Sequence, residues 1–307
     1  MHISRHIHLS LYGAAMFGLA ACSDSDTPLA PESESGAEQA VSPALLPGRI
    51  VFQSSRNGQG NRIYAMNADG SGVVELTSSH GVAPAWSYDN QKIAFMTDRP
   101  AGINKVVVDI FVIDANGANG HWASPTPSPL NIAHPRWSPD GTRILVWSQP
   151  NKMMSLDVAT GALTTLKVGG VDVQGRYPSF DQTGQKIVFA AGSALGVMNA
   201  DGTGGITTIA GPSGGTIEHP RFSPDGQKIL FSAVMPGSRN GDLYVASQGS
   251  LTLLGDHNLG HRASWAPDGK HIAYERLGRI YQMNADGSRR TRLSAPEMYD
   301  EAPDYTH

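Results

Sequence analysis

Pro135-Arg-Trp137-Ser-Pro-Asp140-Gly141-Thr-Arg143-Ile-Leu-Val146 joins an aromatic residue, a tight turn and a short apolar run that starts on a basic side chain. The run returns as Arg49-Ile-Val-Phe52, Lys92-Ile-Ala-Phe95, Lys186-Ile-Val-Phe189, Lys228-Ile-Leu-Phe231 and His271-Ile-Ala-Tyr274. The aromatics ahead of it, Trp86, Trp137, Phe180, Phe222 and Trp265, lie 51, 43, 42 and 43 residues apart. That is the period of a four-stranded propeller blade. A third phrase recurs as Met66-Asn-Ala-Asp69-Gly70, Met198-Asn-Ala-Asp201-Gly202 and Met283-Asn-Ala-Asp286-Gly287, placing an Asp-Gly turn between two further extended runs. Each period thus holds two hairpins and four strands.

The blade count follows from residues 49 and 300–306. Arg49-Ile-Val-Phe52 is a second strand without its first, and Ala302-Pro-Asp304-Tyr-Thr306 resembles a first strand without its second. Sharing one blade between them predicts an all-β fold, a six-bladed β-propeller closed by its N- and C-terminal strands over residues 49–307. Closure leaves only short, protected sheet edges. The 35 glycines and 20 prolines suit many short strands joined by turns. In the Ser-Pro-Asp-Gly turns the Asp is read as an acceptor of backbone hydrogen bonds and the Gly as the source of positive φ, not as a calcium site.

The Pro-x-Trp-Ser-Pro-Asp-Gly-x-Lys-Ile-x-Phe phrase, followed by Ile-Tyr-x-Met-Asn-Ala-Asp-Gly, resembles the TolB-type, PD40 propeller repeat. WD40 repeats are a poorer match, because no Trp in this chain precedes an Asp. The resemblance implies a propeller and a setting in the cell envelope. TolB-like proteins also carry an α/β domain ahead of the propeller, for which residues 1–48 show no pattern.

Arg5 and three histidines precede an apolar run from Leu9 to Ala21, the length of a secretory h-region and too short to span a bilayer. The run ends in Leu19-Ala20-Ala21-Cys22, which resembles a bacterial lipobox and implies a signal peptide over 1–21 and a diacylglyceryl/acyl lipid on Cys22. Cys22 is the single cysteine, so no intramolecular disulfide can form. Ser23 after the cysteine implies, by the same resemblance, an outer-membrane lipoprotein facing the periplasm, with surface exposure as the other option. Residues 22–48 are Ser-, Pro-, Ala- and acid-rich and read as a disordered tether spanning roughly 30 Å. Of 23 basic and 27 acidic residues, one and five precede Arg49, leaving 22 of each sign in the propeller. A neutral propeller is a poor nucleic-acid partner.

Chemistry is sought where the repeats differ. The links between blades and those between second and third strands open on one face, so residues at the start of each first strand ring the channel mouth. That ring supplies His134, Arg136, Arg176, Tyr177, Glu218, His219, Arg221, His261, Arg262 and Glu301 as candidate ligand-binding residues, while Val82, Ala83 and Ala85 bring no charge. Guanidinium forks match carboxylates bidentately; the competing reading pairs these Arg and Glu residues with one another. His134, His219 and His261 would form a metal site if they converged, as the resemblance to oligogalacturonate lyases, with metals held mainly by histidines, would imply. No cofactor is otherwise indicated. Gly211-Pro-Ser213-Gly-Gly215 fits a nucleophile-elbow pattern, yet it lies in an inter-blade loop and not at a strand-to-helix turn. Three longer segments, Thr97 to Lys105, Met235 to Gly241 and Ser124 to Pro129, read as loops on the mouth face. The expectation is a lipid-anchored envelope module that recognises a protein segment or peptide at the mouth. The alternative is a metal-dependent enzyme or binder acting on acidic oligosaccharides.

Overall fold

A computed structural model describes residues 48–58, 60–238, 241–257 and 259–307. The signal peptide, Cys22 and the tether up to residue 47 lie outside the described residues. Among the described residues six four-stranded antiparallel sheets are present, and the pairing that closes the ring is direct. Asp300–Tyr305 pairs with Arg49–Ser54, with Ile50 opposite Tyr305 and Val51 opposite Asp304. Arg62–Asn67 and Val74–Glu75 complete this first blade. The innermost strands of the other five are Val82–Trp86, Ala133–Trp137, Arg176–Phe180, Thr216–Phe222 and His261–Trp265. Each packs against the next, and Asp300–Tyr305 packs against both His261–Trp265 and Val82–Trp86, so the ring is closed.

The repeated apolar run explains the core. Ile50 and Phe52 point into the interface with the sixth blade while Val51 points into the interface with the second. Ile93 and Phe95 face the first blade and Ala94 the third. Side chains alternate across a strand, and each blade is covered on both faces, so both sets must be apolar. Six buried clusters result, one for each contact between neighbouring blades.

The turn chemistry follows the residues. Asp140 accepts from the Ser138 hydroxyl at 2.5 Å and from the Thr142 N–H at 3.0 Å, and Ser138 Oγ accepts the Arg143 N–H at 2.9 Å. These bonds, the Ser138 hydroxyl first, hold the Asp140 carboxyl below its usual range. Glycine has a second role in the Asn-Ala-Asp-Gly turns. Gly70 has φ +87°, and a Cβ there would sit 2.5 Å from the carbonyl oxygen of Leu293 in the neighbouring blade. The turn therefore seats one blade on the next as well as reversing the chain.

One expectation is corrected. Thr97 to Pro100 is not loop, because Lys92–Pro100 and Val106–Asp114 form a ladder in which Arg99 opposes Val107 and Pro100 opposes Val106. Ser124 to Pro129 is a loop between two blades, as expected. Arg99 reaches it from that ladder and donates to the carbonyls of Ser124, Pro125 and Thr126 at 2.9, 3.0 and 3.2 Å. A small hairpin of Lys167–Val168 and Val171–Asp172, unforeseen in the repeats, turns on Gly169 and Gly170, both at positive φ.

Candidate functional site

One backbone irregularity recurs in every blade and builds the channel mouth. The pairing of each innermost strand with its neighbour shifts register, between Ala133 and Arg136 and between Glu218 and Arg221 for example. Inside each shift one residue adopts the left-handed region: Ala83, His134, Tyr177, His219, Arg262 and Ala302, all with φ between +50° and +54°. All but Arg262 stand directly before a proline, which cannot donate to the ladder and is at home at a bulge. None is β-branched, as this region requires. Such conformations cost of order 1–3 kcal/mol each and persist where the surrounding structure fixes them.

These six residues form the upper ring of the channel, in the order Ala302, Ala83, His134, Tyr177, His219, Arg262. The three aromatic members are in contact. Ring centroids lie 4.8 Å apart for His134 and Tyr177, 4.0 Å for Tyr177 and His219, and 5.0 Å for His134 and His219. Trp147 backs the group at 5.4 Å from Tyr177. Large rings therefore fill one side of the mouth, and two alanines leave the other side open.

Two residues further along each strand lies a deeper ring of Asp304, Ala85, Arg136, Ser179, Arg221 and Ser264. Arg221 Nη1 stands 2.6 Å from Asp304 Oδ1, with both side chains almost fully buried. Asp304 also accepts the Trp86 N–H at 2.8 Å. Burial alone would raise the Asp304 carboxyl, yet Arg221 and then Arg136 bring it below its usual range. The contact is chiefly one of charge, since neither Asp304 Oδ1 nor the buried Arg221 Nε has a well-aligned hydrogen-bond partner. Arg136 has no carboxylate in contact among the described residues. Its Nη1 donates to its neighbour's carbonyl, that of Pro135, at 2.7 Å. Burial and then Arg221 push its pKa down to about 9, so it remains a cation at neutral pH.

The remaining candidates form an outer tier. Arg176 lies over the rings of Trp147 and Tyr177, at 6.0 and 5.5 Å. Glu301 accepts from Arg262 at 3.2 Å and from Gln53 at 2.9 Å. Glu218 stands near enough to Tyr177 to add to the rise that burial gives that phenol, to about 12. His261 does not join His134 and His219. Its Nε2 is 3.1 Å from Glu275 Oε1, and Tyr177 holds the place between the other two imidazoles. Among the described residues no three His, Cys, Asp or Glu side chains are grouped to hold a metal ion. The pairing of Arg with Glu or Asp thus describes Arg221 and Arg262, whereas Arg136 and Arg176 keep their charges unmatched by a carboxylate contact. Asp304 and Glu275 were outside the candidate set. Asp304 stands in the slot that carries Arg136 and Arg221, a reversal of sign visible in the aligned repeats; Glu275 has no such signal. Ser213 lies in the loop between Thr207–Ala210 and Thr216–Phe222, away from any helix.

At the far end of the channel the His307 ring stacks on Tyr88, centroids 3.8 Å apart, and Asn90 exchanges two hydrogen bonds of 2.9 Å with the His307 backbone. Burial drives three imidazoles below their ordinary range. His134 and His219 fall well below it, helped in the first case by Arg262 and Arg136 and in the second by His134 and Arg262; His307 falls to about 4. An unfolded chain takes up these protons near pH 6.5, and the folded protein does not. The unfolded state therefore binds more protons below that pH, and acidification destabilises the fold, each imidazole steepening the dependence by up to about 1.4 kcal/mol per pH unit. The urea midpoint is expected to fall from pH 7 through 6 to 5, with a shallower slope in His219→Gln. Equal slopes for the two proteins would contradict the assignment.

The closed six-blade ring defines a six-bladed β-propeller whose mouth is bulged and filled by side chains. Its fold is that of the TolB-like propeller. TolB from Acinetobacter baumannii superposes with a TM-score of 0.69 at 20% identity, over 84% of this chain and 66% of that one. A chain of a nidogen/laminin complex gives 0.64 at 11% identity, over 84% and 98%. Oligogalacturonate lyase from Vibrio parahaemolyticus gives 0.52 at 15% identity, over 80% and 74%. At these identities the likeness is one of fold. An uncharacterized peptidase of Bacillus subtilis, YuxL, is 26% identical over 189 residues, 60% of this chain and 27% of that protein. This chain thus spans about a quarter of that relative's length and just under two thirds of the TolB chain's. No family model matches the chain.

Proposed function

We propose that the protein is a binding module of the bacterial cell envelope that recognises an extended protein segment on the mouth face of its propeller. The observation carrying this reading is the placement of exposed apolar side chains. Of the ten large hydrophobic residues exposed to solvent among the described residues, Ile103, Val106, Leu130, Leu277 and Tyr299 lie at mouth-face connections, and Val171 lies on the small hairpin between two blades. The other four, Val73, Val74, Ile206 and Leu251, lie near the opposite ends of the blades or on their outer strands. Apolar groups around a charged, aromatic-lined centre suit a peptide anchored by a few buried contacts. The TolB-like fold and the nidogen/laminin likeness support a binding role. The envelope setting and a lipid on Cys22, anchoring the module at the outer membrane, belong to the same proposal and rest on Leu19-Ala20-Ala21-Cys22. The metal-dependent reading on acidic oligosaccharides keeps only the fold likeness to the lyases, because His261 is engaged with Glu275.

Random twelve-residue peptides displayed on phage and panned on the protein are expected to converge on a consensus. Its Kd, measured by fluorescence anisotropy, should rise at least tenfold in Tyr177→Ala, about 1.4 kcal/mol, and stay unchanged in Asp201→Ala on the opposite face. Consensus peptides that lose affinity only in Asp201→Ala, or in neither variant, would refute the mouth as the site.

A further inference from the structure

Below the upper ring, on the side left open by Ala83 and Ala302, lies a throat lined by His134, Arg136, His219, Arg221 and Arg262 together with alanines and prolines. No carboxylate is among its lining residues. Its cavity volume is about 10 Å³, room for one water-sized group. A sugar ring does not fit; one oxygen of a carboxylate does. Arg221 contributes a buried Nε–H that has no acceptor, and it is nine-tenths buried itself. Arg136 presents a guanidinium whose one short contact is a neutral carbonyl. A desolvated cation without an anion against it, as Arg136 is, is costly, and an orphaned donor such as Arg221 Nε–H costs its full desolvation.

We propose that this throat is a carboxylate site, in which Arg136 and Arg221 hold the acidic side chain or terminal carboxylate of the segment bound at the mouth. The source of the carboxylate rests on the mouth-binding reading, whereas the anion preference of the throat stands on its lining alone. The side chains of Arg136 and Arg221 line the space from two blades, and charge-assisted hydrogen bonds to a carboxylate are about twice as strong as neutral ones. The imidazoles of His134 and His219, uncharged at neutral pH, each contribute one N–H and one acceptor nitrogen without opposing the guanidiniums. The unfilled positions of Ala83 and Ala302 give the carboxylate its path from the mouth face. Asp304 sits behind Arg221 and fixes the guanidinium without entering the throat.

The test uses the full chain at pH 7 and constant ionic strength, with sodium acetate as probe and acetamide as its neutral counterpart. Acetate is expected to raise the Tm saturably, acetamide to leave it unchanged, and Arg136→Gln to abolish the acetate effect. In wild-type protein alone, the acidic residues of a consensus peptide changed to their amides should weaken binding tenfold or more. Saturable, Arg136-dependent acetate binding supports the site even where no peptide binds, and in that case assigns it to a free small acid. Overturning results are an acetate effect that never saturates, one matched by acetamide, or one retained in Arg136→Gln. Peptides that bind the mouth with no such acetate response would leave the mouth reading intact and remove the carboxylate site.

Discussion

Asp304→Asn is expected to lower stability by about 3–5 kcal/mol, the cost of leaving a buried charge without its partner. Asp304 lies on the strand that closes the ring, and it holds Arg221 of the fifth blade at 2.6 Å and the backbone N–H of Trp86 in the second at 2.8 Å. One carboxylate therefore ties three blades across the channel. Asparagine keeps the shape and an acceptor for Trp86 but leaves the Arg221 cation buried beside Arg136, another cation. For a chain of this size the loss corresponds to a fall in Tm of roughly 10 °C. The double variant Asp304→Leu/Arg221→Met removes both charges and keeps apolar volume, so it should recover much of the loss. Urea unfolding followed by tryptophan fluorescence measures both. A double variant as unstable as the single one would show that packing, and not charge, holds the closure.

Arg99→Met should cost a similar amount, about 3–5 kcal/mol, by a different route. Arg99 Nη1 stands 3.1 Å from Asp109 Oδ2, and Asp109 is fully buried. The same guanidinium lies 4.6 Å over the Trp122 ring and takes up three carbonyls of the inter-blade segment. Methionine preserves the apolar stem and deletes every polar contact, leaving Asp109 with the Ser128 and Ile110 N–H groups. The amide hydrogens of Ser124, Thr126 and Ser128 should then exchange faster, with the rest of the ring little changed. Uniform exchange across the whole propeller, or none, would deny Arg99 its role as the pin of that segment.

Much of the architecture is legible before any coordinates. The Lys-Ile-x-Phe run had to be buried on both faces, because its apolar residues do not alternate with polar ones, and only stacked blades offer two apolar surfaces to every strand. The division of the closing blade was legible from Arg49 and from Asp304-Tyr305. The longer second blade was not. Thr97-Asp-Arg-Pro100 has the composition of a turn, and it forms a strand because Asp109 and the Ser124 to Thr126 carbonyls neutralise Arg99 from other parts of the chain.

The candidate site divides in the same way. Repeat alignment found the ring positions, since departures from a repeat mark where packing leaves freedom. It could not assign them to levels. The left-handed residue that each blade inserts before its innermost strand crosses the channel advances the chain by one position without a partner, and this separates His134 from Arg136 and His219 from Arg221 in depth. It also parted His261 from His134 and His219, because His261 precedes the bulge while the other two occupy it. Sequence by itself determined the repeated unit, the number of blades and the roster of channel residues, for these depend on local periodicity and on composition. Only the tertiary structure decided which charges meet. Asp304 and Arg221, 83 positions apart, compensate each other through ring closure, and Arg136 is left cationic in the throat with no carboxylate of another described blade in contact with it.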